Sequence, residues 1–146
     1  KDAIDRYGGL FIASAGNSGT NNDAAPIYPA SYTSGNILSV AAIDPYHTLA
    51  RFSNYGFESV DIAAPGTGIL SLDLQGGYTP KNGTSMSAPH VAGAAALLKA
   101  YMPALSASTI KNIILSSAVK IPGLAGKVLT GGALDVNAMF ELANRL

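Results

Sequence analysis

The 146-residue sequence has no cysteine and no tryptophan, and only 12% of it is charged. Without cysteine there is no disulfide staple and no thiolate metal site. The redox compartment stays open, because exported proteins can also dispense with disulfides. Nine basic side chains balance nine acidic ones, so no basic face marks a nucleic-acid surface. The apolar stretch Val91–Leu98 is far too short to cross a bilayer, which leaves no membrane span there. The first residues, Lys1–Arg6, lack signal-peptide character and read as the tail of a helix ended by Gly8-Gly9. A domain of this size ordinarily carries about a quarter charged residues. The shortage points to an unusually apolar surface or to surface that belongs against a partner.

What is present is a globular composition, 48% hydrophobic with 16 glycines and 8 prolines, and its length predicts one domain over residues 1–146. Four continuous apolar runs read as buried strands: Leu10–Ser14, Ile37–Ile43, Val60–Ala64 and Gly68–Leu72. Runs without alternation are what a parallel sheet covered on both faces requires. From Ser85 to about Tyr101 the pattern becomes helical and apolar on nearly every side, which predicts a buried central helix, with Pro103 just past its end. Further helices are expected from a Ser106 cap to Ala118 and from Asp135 to Asn144. Strands and helices alternate, so the class is α/β, a parallel sheet flanked by helices.

Two positions carry chemistry by placement alone. Ser85 follows Gly83-Thr84 at the first turn of the apolar helix, where unpaired N–H groups and positive potential collect. A hydroxyl there could attack a carbonyl beside donors already aimed at the resulting oxyanion. Position equally allows an ordinary serine cap. Asn17 follows the first strand run, and ligands of open α/β sheets bind outside the strand C-termini. Its side chain could donate to an oxyanion, or it could simply tolerate a left-handed turn between glycines. Ser87 in place of glycine removes the Gly-x-Ser-x-Gly elbow of the α/β esterases.

Longer blocks resolve these alternatives. Asn82-Gly83-Thr84-Ser85-Met86-Ser87-Ala88-Pro89-His90-Val91-Ala92-Gly93 resembles the nucleophile signature of the subtilisin-like serine proteases. Ala13-Ser14-Ala15-Gly16-Asn17-Ser18-Gly19, Tyr28-Pro29-Ala30 and Asp61-Ile62-Ala63-Ala64-Pro65-Gly66 resemble further segments of that family, in its order. The similarity runs from about Tyr7 to at least Leu98. It implies the C-terminal portion of a subtilisin-like domain whose N-terminal strands are missing. It implies a serine endopeptidase in which Ser85 forms an acyl-enzyme and Asn17 with the Ser85 N–H holds the oxyanion. Ser14, Ala15 and Gly16 would line the pocket for the residue before the cleaved bond, and Tyr28-Pro29 would be a cis peptide. Ile27 stands at a pocket-floor position often occupied by glycine in the family, so small or medium apolar side chains are the expected preference.

The same resemblance places the triad Asp and His before the Asn17 segment, where this sequence has almost nothing. Two histidines remain. His90 falls five residues after Ser85, turned away on a helix, and His47 falls in the loop Asp44-Pro45-Tyr46-His47. Neither suits a base, so this chain alone is expected to be inactive. The expected partners are a peptide or protein substrate and, over an exposed apolar sheet edge, the missing N-terminal half or a homo-oligomer. A non-catalytic binding or inhibitory module derived from such a protease is the alternative. No metal is assigned. Calcium is possible in the full-length domain, where a weak cation site could use carbonyls near Ala30 and Tyr32 with Asp61, but one carboxylate is little for an ion that takes six to eight oxygens. A secreted or organelle-lumenal location is expected from the family.

Overall fold

A computed structural model describes residues 1–146. The elements in chain order are α1 (Asp2–Arg6), β1 (Phe11–Ser14), β2 (Ile37–Ile43), β3 (Ile62–Pro65), β4 (Ile69–Leu72), β5 (Tyr78–Lys81), α2 (Thr84–Tyr101), α3 (Ala107–Ser116), β6 (Val119–Lys120), a 3-10 turn (Pro122–Leu124), β7 (Gly132–Ala133) and α4 (Val136–Ala143). Five strands form one sheet in the order β1-β2-β3-β7-β6. It is parallel from β1 through β7 and antiparallel only at β6. β1 is therefore an edge strand.

The continuous apolar run of β2 has the cause expected of it. All seven residues are buried, because strands flank it on both sides and side chains of opposite parity enter two different cores. Leu38 and Val40 join Ile62, Ala64, Val91, Leu98, Ile110, Ile113, Ile114 and Met139 in the larger core, beneath α2, α3 and α4. Ala41 and Ile43 join Ala63, Val60, Leu124 and Val128 in a smaller one. All three longer helices thus contribute to one core, and the opposite face is covered by the 3-10 turn and its loops. The helix caps follow the sequence: Ser106 Oγ accepts from Thr109 N–H at 3.1 Å, and Asp135 Oδ1 accepts from Ala138 N–H at 2.9 Å.

Two expectations need correction. The run Gly68–Leu72 is not a buried parallel strand. It becomes β4 of a separate antiparallel hairpin with β5, and Leu70, Leu72, Leu74 and Tyr78 are exposed on it. A short apolar run does not say which face will be covered. Helix α2 is not buried all round either. Thr84, Ser87, Val91, Ala94 and Leu98 form one buried stripe at helical spacing, whereas Ala92, Gly93, Ala96 and Leu97 face outward. Ser85 lies in the first turn of that helix as expected, and the cap alternative falls because Gly83 is the N-cap. The pairs β5, β6 and β7 had no clear sequence signal, the last two being only two residues long.

Where α2 crosses β3 the fit is close. A Cβ on Gly66 would overlap Ser87 Oγ and come within 2.6 Å of Ala42 Cβ. The buried Ser87 hydroxyl has no hydrogen-bond partner there, which leaves its desolvation unrecovered. Ser87→Ala is expected to raise unfolding stability by about 1 kcal/mol; an unchanged or lower denaturation midpoint would show that the hydroxyl is satisfied in solution.

Candidate active site

The C-terminal end of β1 and the N-terminus of α2 meet at one joint. Thr84 donates to Asn17 Oδ1 twice, from its backbone N–H at 2.9 Å and from Oγ1 at 3.0 Å. Thr84 Oγ1 also accepts from Gly16 N–H at 3.1 Å. A backbone N–H can only donate, so the atom it meets must be the Asn17 carbonyl oxygen. The Asn17 NH2 is thereby turned the other way, and it would stand 3.5 Å from a Cβ placed on Gly83. Gly83 itself has φ +149°, a backbone setting that side chains disfavour, so this space beside Ser85 stays open.

Ser85 is exposed, and its N–H is among the first donors of α2, which have no acceptor within the helix. The site therefore presents a hydroxyl, a helix N-terminal amide and a neutral carboxamide NH2 around one small space. Those groups can meet a carbonyl and stabilise negative charge developing on its oxygen. A groove of about 380 Å³ runs beside Ser85, lined by Ile69, Leu70, Ser71, Met86, Pro89 and His90.

The structure brings the other expected residues to the same end of β1. Ser14 ends the strand, Ala15 N–H donates to Val40 O at 2.9 Å, and Gly16 continues the loop at φ +111°. Ile27 is half-buried, and its Cδ1 would lie 3.2 Å from a Cβ on Gly16. The branched side chain thus packs against the segment that carries Asn17. The Tyr28-Pro29 peptide is cis.

Neither histidine is hydrogen-bonded to Ser85. His90 shares the groove, and its Nδ1 is hydrogen-bonded to Met86 O at 2.8 Å in its own helix. His47 lies in the widest cleft, of about 760 Å³, at the C-terminal ends of β2 and β3, which does not include Ser85. Three contributors had escaped the sequence reading. Thr84 locks Asn17, Asn54 braces its loop, and Asn82 ties the hairpin to the site through Gly68 N–H, which donates to Asn82 Oδ1 at 2.7 Å. Thr84 and Asn82 stood inside the nucleophile block and could have been read from it. Asn54 depends on contacts distant in sequence.

Asp61, the acid of the expected cation site, accepts from Ser39 N–H at 2.7 Å. The Lys111 ammonium lies on the nearby carbonyls, Ile37 O at 2.5 Å and Gly35 O at 3.4 Å. Those carbonyls are not the ones near Ala30 and Tyr32 that the resemblance implied, and no group of three or more His, Cys, Asp or Glu side chains that could hold a metal ion occurs in the chain.

Comparison with known proteins gives the family. The sequence matches the Subtilase family over residues 1–138. It is 42% identical to subtilisin DY of Bacillus licheniformis over 125 residues, covering 83% of this chain and 44% of that protein. It is also 42% identical to alkaline elastase YaB of Bacillus sp. (strain YaB), covering 94% of this chain and 33% of that one. A solved protease of Pseudoalteromonas arctica superposes with TM-score 0.80 at 32% identity, covering 93% of this chain and 43% of the other. The chain belongs to the subtilase family. It spans less than half the length of these relatives. No helix is long and apolar enough to cross a membrane.

Burial pushes the Asp61 carboxyl above its ordinary value of 3.8, against the Ser39 hydrogen bond and the Lys111 charge. The folded state then binds the proton more tightly than the unfolded one, so Asp61 lowers stability as pH rises from 3.8 through its raised folded value. Over that window Asp61→Asn should lose less stability than the parent protein in parallel denaturation curves. Identical slopes would mean that the carboxylate is solvated.

Proposed function

We propose that this chain carries the nucleophile half of a serine endopeptidase site, with Ser85 as nucleophile and Asn17 as oxyanion donor. The observation that carries the reading is the double hydrogen bond from Thr84 to Asn17 Oδ1, which turns the carboxamide NH2 toward Ser85. Ser85 Oγ would attack the scissile carbonyl carbon while its proton passes to a base. The Asn17 NH2 and the Ser85 N–H would stabilise the oxyanion. Collapse of the adduct would release the amine, which takes that proton, and leave an acyl-enzyme for water to hydrolyse.

Neither His47 nor His90 is hydrogen-bonded to Ser85, which supports assigning the base and its orienting acid to polypeptide outside these residues. The same polypeptide would cover the open edge of β1 and the outward face of α2. By this reading the isolated chain does not turn over substrate and tends to self-associate, and the complete protein is exported or lumenal like much of its family. Ser14, Ala15 and Gly16 would form a wall of the specificity pocket. Ile27 against Gly16 would make that pocket short, favouring small or medium apolar residues.

Labelling by a fluorophosphonate probe tests the assignment. The isolated chain should stay unlabelled, the complete protein should label, and Ser85→Ala should abolish it; labelling that survives Ser85→Ala refutes the nucleophile. In the complete protein Asn17→Ala should lower kcat about 10²–10³-fold, a magnitude measured for this family's oxyanion asparagine. Ile27→Gly should shift the preferred residue toward Phe and Tyr, and an unchanged substrate profile would remove Ile27 from the pocket.

A further inference from the structure

Beneath the loop that carries Asn17 lie two buried asparagines that the proposed reaction does not use. Asn54 is 0% exposed and Asn22 1%. Every polar atom of Asn54 is engaged. Its N–H donates to Gly16 O at 2.9 Å, and its carbonyl accepts from Ser53 Oγ at 2.9 Å. Its Oδ1 accepts from Ser18 N–H at 2.7 Å and from Thr20 N–H at 3.3 Å. Its Nδ2 donates to Asn22 Oδ1 at 2.8 Å, and Asn22 Nδ2 in turn donates to Ala15 O at 2.8 Å.

The direction of this relay is forced from both ends. The Ser18 amide can only donate and the Ala15 carbonyl can only accept, so neither carboxamide can flip without setting like groups against each other. Ala15 and Ser18 bracket Gly16 and Asn17, so the two side chains close that backbone into a hydrogen-bonded ring. The contact is also steric: a Cβ on Gly16 would stand 2.7 Å from Asn54 Nδ2. Buried networks of this kind hold geometry because a half-satisfied one is costly. A carboxamide bridges a donor and an acceptor without bringing a net charge close to the site where an oxyanion would form.

We infer that Asn54, acting with Asn22, is a positioning residue that fixes the Asn17 carboxamide for the oxyanion. The inference rests on the nucleophile reading given above. In the complete protein, Asn54→Ala should lower kcat by about 10-fold to 10²-fold, the scale of a small misplacement, with KM changed less than about 2-fold because ground-state binding is untouched. Affinity for a peptide aldehyde, which forms an oxyanion on Ser85, should fall in step with kcat. Affinity for the matching peptide amide should not. In an Asn17→Ala background Asn54→Ala should cost no further kcat, since coupled residues are not additive. Should Asn54→Ala fail to fold, Asn54→Ser and Asn22→Ser serve the same measurements. An unchanged aldehyde-to-amide ratio, or a full additional loss in the Asn17→Ala background, overturns the inference and leaves Asn54 a purely structural residue. A parent protein that neither labels nor cleaves would instead overturn the nucleophile reading itself, and with it this one.

Discussion

The joint between Thr84 and Asn17 is the contact on which the site depends, and it is not what holds the molecule together. Two hydrogen bonds to Asn17 Oδ1 contribute about 1 kcal/mol each. Each fully buried Leu, Ile or Val beneath α2 contributes about 1.5–3 kcal/mol, and the main core contains six of them. The core therefore decides where α2 begins, and the hydrogen bonds decide only which way a carboxamide points once it is there. Glycine makes the arrangement possible at two points. Gly66 lets β3 pass close under Ser87, and Gly83 leaves the space beside Asn17 and Ser85 unfilled.

The parts of this fold legible in the sequence are those where a local pattern has one physical solution. The seven-residue run of β2 is too apolar for anything but a covered strand, and Ser106 and Asp135 cap the helices they precede. The run Ile69–Leu72 is as apolar and lies exposed on a hairpin, because its cover is set by residues distant in sequence. Helix α2 misleads for a related reason. Its outward face is built from Ala and Gly, and small apolar residues look the same whether they meet another helix or solvent. The short β6 and β7 exist only because they pair with each other and β3.

The candidate site divides in the same way. Ser85, Asn17 and the glycines beside them sit within compact sequence blocks, so they could be singled out as candidates by resemblance. Asn54 and Asn22 lie 32 residues apart, and nothing near either of them announces a carboxamide relay. Charge follows a different logic from either. The buried carboxylate of Asp61 and the Lys111 ammonium belong to a cavity lined by Ser34, Gly35 and Ile37, near the N-terminal end of β2. The Asn17 loop is held by the neutral carboxamides of Asn54 and Asn22.

The low charge of the chain acquires a location from the same geometry. The hairpin carries exposed Leu70, Leu72, Leu74 and Tyr78, and α2 carries exposed Leu97. Ile69, Leu70 and Ser71 of that hairpin are also walls of the groove beside Ser85. Exposed apolar surface of the hairpin therefore adjoins the groove beside Ser85. Exposed apolar surface of this extent marks an interaction site more often than it marks free surface. Polypeptide laid along that groove would remove the apolar surface from water and could bring an imidazole to Ser85 Oγ in the same act. The hydrophobic effect would supply the association energy, and the chemistry would need only that the incoming segment carry its histidine at the right position.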